Sequence, residues 1–127
     1  YRATNSAQAK ADIISAFIPA GRSGVAPLTE IAQSEQDPEL RRRAIRDLGI
    51  AGGMSVAPAL VETYQKNSDT ETKRAAAQAL FLAGDAHDLV ALARAEKDVK
   101  MKEYLVQQLS LMHDQEASAY MLEILNK

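Results

Sequence analysis

Residues 37–49 read Asp37-Pro38-Glu39-Leu40-Arg41-Arg42-Arg43-Ala44-Ile45-Arg46-Asp47-Leu48-Gly49. An aspartate followed by a proline marks a helix start. The carboxylate accepts a backbone N–H of the first turn, and proline at the first helical position gives up only an N–H that has no partner there. Leu40, Ala44, Ile45, Leu48 and Ala51 then recur at spacings of three and four, which is one face of a helix. Gly52-Gly53 follow, where a residue free to take positive φ closes the turn. The stretch predicts a helix over 38–51.

Sliding the stretch along the chain finds it again. Asp69-Thr70-Glu71-Thr72-Lys73-Arg74 repeats it 32 residues on, Asp98-Val99-Lys100-Met101-Lys102 another 29 on, and Ser6-Ala7-Gln8-Ala9-Lys10 lies 31 residues back. Columns fill from this frame: Phe17, Leu48, Leu80, Leu109 in one, and Ile13, Ala44, Ala76, Leu105 in the next. A second helix follows each first helix, with columns Leu28, Leu60, Leu89, Met121 and Ala32, Tyr64, Ala93, Leu125. Helices are therefore predicted near 6–18, 24–33, 38–51, 55–66, 70–83, 86–95, 99–112 and 115–126. Ser6, Asp37, Asp69 and Asp98 cap the first helices, Gly21, Gly52-Gly53 and Gly84 close them, and Pro19 ends or kinks the first one early. The predicted core includes Ile14, Phe17, Leu28, Leu48, Leu60, Leu80, Leu89, Leu105 and Leu109. Strand signals are nearly absent. The expected fold is all-α: one domain over 1–127, built of four helical hairpins at about 6–35, 37–67, 69–96 and 98–127.

Composition narrows the chemistry. The 127 residues are 46% hydrophobic and 25% charged with a net charge of −2, ordinary globular values that argue against disorder. No strictly apolar run approaches membrane-spanning length. The absence of cysteine excludes disulfides, thiolate metal sites and a thiol nucleophile.

Tyr1 falls in the Tyr64 column and Lys127 in that of Ala95, so both ends coincide with the tails of second helices. The segment is expected to come from a longer array. Its uncapped C-terminal flank, near Met101, Tyr104, Met121 and Ile124, is expected to be a surface for self-association.

The run Asp37-Pro38-Glu39-Leu40-Arg41-Arg42-Arg43-Ala44-Ile45-Arg46-Asp47-Leu48-Gly49, followed by a short second helix, resembles the bacterial HEAT-like repeats of the short subtype. The likeness covers nearly the whole chain and is strongest over 37–95. It is weaker in the first repeat, around Ser6 and Pro19, and in the fourth, where His113-Asp114 replace the glycine turn. The resemblance implies an α-α superhelix, a solenoid of paired helices with the second helices on the concave side, and a binding or scaffolding role without a single activity. It also leaves a second reading, an accessory segment or subunit of an enzyme, since similar short repeats occur in bilin-attaching lyases.

Four groups of residues are candidates for more than packing. A cation recurs as Lys10, Arg41, Lys73 and Lys102, and three of the four lie four residues after an acidic cap: Asp37–Arg41, Asp69–Lys73 and Asp98–Lys102. This reads as a structural ladder of i,i+4 pairs, with Arg41 contributing more than the lysines because it has more donors. Arg41-Arg42-Arg43 with Arg46 is basic, but Ala75 and Gln78 do not continue it and no aromatics interleave, so a solvated face is expected rather than nucleic-acid binding. His87 and His113 lie near Asp85, Asp88 and Asp114 but out of register with each other, which argues for exposed turns and against a metal site. The outward columns of the second helices place Glu30, Glu62, Asp88, Tyr120 and Glu123 on one mildly acidic face. Tyr120 is its only aromatic. That face suits a protein or peptide segment of some basic character, repels nucleic acid, and implies no cofactor, no metal, no membrane and no catalytic residue. Nothing in the sequence fixes the compartment.

Overall fold

The structure, a computed structural model, describes residues 7–19 and 21–126, apart from the side chains of Ala7 and Arg22. The expected Ser6 cap and the placements of Tyr1 and Lys127 lie outside the described residues. Among the described residues eight α-helices follow one another: α1 (Ala7–Ala16), α2 (Arg22–Ser34), α3 (Pro38–Gly52), α4 (Ala57–Lys66), α5 (Thr70–Leu82), α6 (Ala86–Ala95), α7 (Val99–Ser110) and α8 (Gln115–Leu125). No strand occurs among the described residues. The chain is an all-α repeat solenoid, as expected.

The boundaries follow local chemistry. Asp37 accepts the N–H groups of Glu39 and Leu40, Asp69 that of Thr72, Asp98 that of Met101, and Asp114 those of Glu116 and Ala117. α1 stops at Ala16, two residues before the expected end. Pro19 disfavours a helical backbone at Ile18 before it, and the chain leaves through tight bonds from Phe17 N–H to Ile14 and from Ile18 N–H to Ser15. Phe17 is consequently only half-buried, against the expectation of a core position. α4 begins two residues late because Gly53–Val56 form a 3₁₀ turn, entered at Gly53 with φ 55°.

The first helices make a continuous layer: α3 packs on α1 and α5, and α5 packs on α7. α5 supplies the small buried residues Ala75, Ala76, Ala77 and Ala79 to this layer. Gly49 lets the backbones of α3 and α5 meet, for a Cβ built there would lie 2.3 Å from the Ala79 carbonyl oxygen. Ile14, Leu28, Leu60, Leu80, Leu89, Leu105 and Leu109 are fully buried between the two layers.

The fourth repeat slips by one residue. The buried positions of α4, Ala57 and Leu60, correspond to Ala86 and Leu89 in α6 and to Ala117 and Tyr120 in α8. Met121, placed in the core column from the sequence, is half-buried beside them. The C-terminal flank is apolar, but through other residues than expected. Met101 is buried, Tyr104, Met121 and Ile124 are half-buried, and the exposed side chains are Val99, Leu111, Leu122 and Leu125. The stretch Pro38–Lys66 reaches a mean hydropathy of 1.2 over 18 residues. It turns at Gly53, however, and its longest helix, α3 with 15 residues, spans about 22 Å against the ~30 Å of a bilayer core.

Candidate functional site

The recurring cations do not pair with the aspartates four residues before them. Those carboxylates are occupied as helix caps, and Lys10 and Lys73 reach the far ends of the second helices instead. Lys10 Nζ lies 3.7 Å from Glu35, the residue closing α2, and Lys73 Nζ lies 3.8 Å from Glu96, the residue closing α6. Each glutamate also accepts the N–H of the next aspartate, Asp37 or Asp98, at 3.0 and 3.1 Å. A carboxylate at a helix C-terminus faces the negative end of the helix dipole, and the cation offsets that repulsion. Burial alone would raise the Glu96 carboxyl, but hydrogen bonds from the Tyr64 hydroxyl and the Asp98 N–H, with the Lys73 ammonium, hold it below the ordinary value. The Lys73 ammonium also stands over the Tyr64 ring, 5.1 Å from its centroid.

Arg41 breaks this pattern. Asn67 closes α4 where Glu35 and Glu96 close their helices, and the Asn67 amide donates to the Thr63 carbonyl. Arg41 is left with one long bond, 3.4 Å, from Nη1 to the Glu35 carbonyl, and with no carboxylate in ion-pair range among the described residues. The cation expected to contribute most to the ladder thus lacks a carboxylate, and Lys102 likewise has none in ion-pair range among the described residues, so only Lys10 and Lys73 form the ladder's ion pairs there.

Beside Arg41 the second-helix face opens. A cleft of about 510 Å³ runs between α2 and α4 over α3, lined by Thr29, Ala32, Arg41, Ile45, Thr63 and Asn67 among others. A wider depression of about 1000 Å³ lies at the C-terminal end over α7, with Lys102, Val106, Tyr120, Glu123 and Ile124 in its wall.

The five residues of the expected acidic face divide. Glu30 and Glu62 are exposed. Glu62 meets Lys66 of its own helix at 2.5 Å, which lowers its carboxyl. Glu123 meets Arg94 of α6 at 3.2 Å. Asp88 is half-buried, its N–H donated to Asp85. Tyr120 is only 3% exposed, with the Arg94 guanidinium 5.3 Å from its ring centroid. It cannot anchor a partner. The one-residue slip of α8 turns it inward, and sequence columns copied from the earlier repeats could not register that slip.

The remaining candidates are tied to their neighbours. Arg43 Nη2 donates to Ser15 of α1 at 2.7 Å, and Arg43 and Arg46 flank Asp47, whose carboxyl is raised by burial against their pull. The arginine cluster is half-buried between first helices rather than a solvated face. His113 is exposed, and His87 is exposed with Nδ1 2.8 Å from Glu116 of α8. The Glu116 carboxylate raises the His87 imidazole. Among the described residues no three His, Cys, Asp or Glu side chains group as metal ligands.

The sequence reading passed over Asp85 as a structural residue. It caps α6, is 1% exposed, and its Oδ2 has no hydrogen-bond partner. Burial, then the neighbouring Asp88 carboxyl, push its carboxyl from 3.8 up to about 6, against the lowering effect of the Asp88 N–H that it accepts. A raised carboxyl holds its proton more tightly in the folded chain. Its contribution to stability is therefore full below about pH 4 and is lost as pH rises through 6. Asp85→Asn keeps a capping oxygen and removes the charge. It is expected to stabilise the chain at pH 7.5 by about 1–3 kcal/mol and to flatten the decline in Tm between pH 4 and 6.5. Parallel Tm–pH curves for variant and wild type would show that the buried carboxyl ionises without cost.

A family model described as HEAT repeats matches residues 25–103, more than half of the chain. No curated protein and no solved structure matches it.

Proposed function

Because this chain belongs to the HEAT-repeat family, we propose that it is a non-catalytic interaction module that holds a protein or peptide segment against its second helices. The observation carrying this reading is the contrast between the two layers. The first helices close on each other through Gly49 and the alanines of α5, whereas the second helices part over α3 into the 510 Å³ cleft. A recess of that size suits a few side chains of a partner. The two buried polar side chains among the described residues, Thr72 and Asp85, are engaged at helix starts, Thr72 donating its hydroxyl to Asp69. Nucleic acid and membrane are not part of this reading. The charge of the second-helix face is largely met internally at Glu62 and Glu123, so the expectation of a basic partner loses most of its electrostatic support.

Photo-crosslinking tests the choice of face. A benzophenone side chain is placed at Gln33 or Lys66 on the cleft rim, and at Glu71 or Lys100 on exposed first-helix positions. A discrete crosslinked protein from the first pair and none from the second is expected. Equal yields from both faces, or no crosslink from either, would overturn the reading.

A further inference from the structure

The third repeat shows what the cleft of the second repeat lacks. Over α5, Tyr64 lies with its ring beneath the Lys73 ammonium, and its hydroxyl donates to the Glu96 carboxylate, which also meets Lys73. The positions corresponding to Tyr64, Lys73 and Glu96 one repeat earlier are Ala32, Arg41 and Asn67. The cation is retained, while the ring has become a methyl group and the carboxylate a neutral amide. All three residues line the 510 Å³ cleft. Its two other charged lining residues, Glu62 and Lys66, pair with each other, so the Arg41 charge is the one left unbalanced there.

We propose that this cleft receives an acidic partner segment whose aromatic ring takes the place held by Tyr64 one repeat on and whose carboxylate takes that of Glu96, both against Arg41. The inference rests on the interaction reading above and names the chemistry of the partner. The fit has three parts. Arg41 supplies a planar guanidinium that stacks on a ring and donates two N–H groups to one carboxylate, a two-point geometry that an ammonium lacks. The floor beneath it, Ile45 and Leu48, is apolar and accepts a ring edge. The Thr63 and Asn67 side chains stand where the polar end of the segment would lie.

The test uses the 127-residue chain and a fluorescein-labelled peptide Glu-Glu-Tyr-Glu-Glu, with Gln-Gln-Tyr-Gln-Gln, Glu-Glu-Ala-Glu-Glu and Lys-Lys-Tyr-Lys-Lys as controls. Anisotropy titration is expected to show the first peptide binding at least about tenfold more tightly than each control, a difference that one charged hydrogen-bonded pair can supply. Arg41→Gln should lose about tenfold or more. The double variant Ala32→Tyr/Asn67→Glu rebuilds the third-repeat arrangement inside the second, and should abolish binding by filling the cleft. If that variant does not fold, Arg41→Gln carries the test alone. Equal affinity for all four peptides, tightest binding of the lysine peptide, or unchanged affinity in Arg41→Gln would overturn the proposal. The crosslinking experiment separates the two claims. Crosslinks from Gln33 and Lys66 that survive Arg41→Gln would leave the interaction face standing and remove this occupant, whereas their absence in the wild type would remove the face itself.

Discussion

Leu80→Ala is expected to destabilise the chain by about 2–5 kcal/mol, the range for truncating a fully buried leucine. Leu80 has no exposed surface and sits on α5, which contacts α3, α4, α6 and α7. Elements on several sides hold the walls of the resulting hole, so it cannot collapse cheaply. A truncation at the open end, Leu125→Ala, removes a side chain that is 78% exposed and should cost under about 0.5 kcal/mol. Chemical denaturation of the two variants beside the wild type measures the contrast. Similar midpoints for both would mean that α5 is not the centre of the stack.

Gly49→Val should cost about 3 kcal/mol or more, for a different reason. A Cβ at this position would lie 2.3 Å from the Ala79 carbonyl oxygen, with the Ala79 Cα and carbonyl carbon also inside van der Waals contact. The obstacle is backbone, which has no rotamer to escape into, so α3 and α5 must separate and the alanine seam loosens with them. Gly53→Ala is the control. Gly53 has φ 55° and open space around its missing Cβ, so only the backbone preference is violated, at about 1–2 kcal/mol. If the two variants melt together, the close approach of α3 and α5 does not limit stability.

The helices, their order and most of their ends were legible in the sequence because the forces that set them are local. The Asp37, Asp69 and Asp98 caps act over two or three residues, and Pro19 and Gly53 act on their own backbone. The period near 31 residues showed which faces turn inward, and Leu28, Leu60, Leu80, Leu89, Leu105 and Leu109 are buried as that period requires. What the sequence could not decide is which of several reachable partners a charged or aromatic side chain takes. Lys73 has Asp69 one turn behind it in the sequence, but the cap bond claims that carboxylate, and the folded chain brings Glu96 into range from 23 residues away. Tyr120 looked outward by analogy with Asp88 of the preceding repeat, yet a one-residue slip of α8 rotates a side chain by about 100° around the helix, enough to move it from surface to core. The cleft over Arg41 is also a tertiary product. It exists because Ala32 of α2, Arg41 of α3 and Asn67 at the end of α4 meet where the neighbouring repeat brings together Tyr64, Lys73 and Glu96. Local chemistry set the elements. Long-range competition for hydrogen bonds and charge set the surface they present.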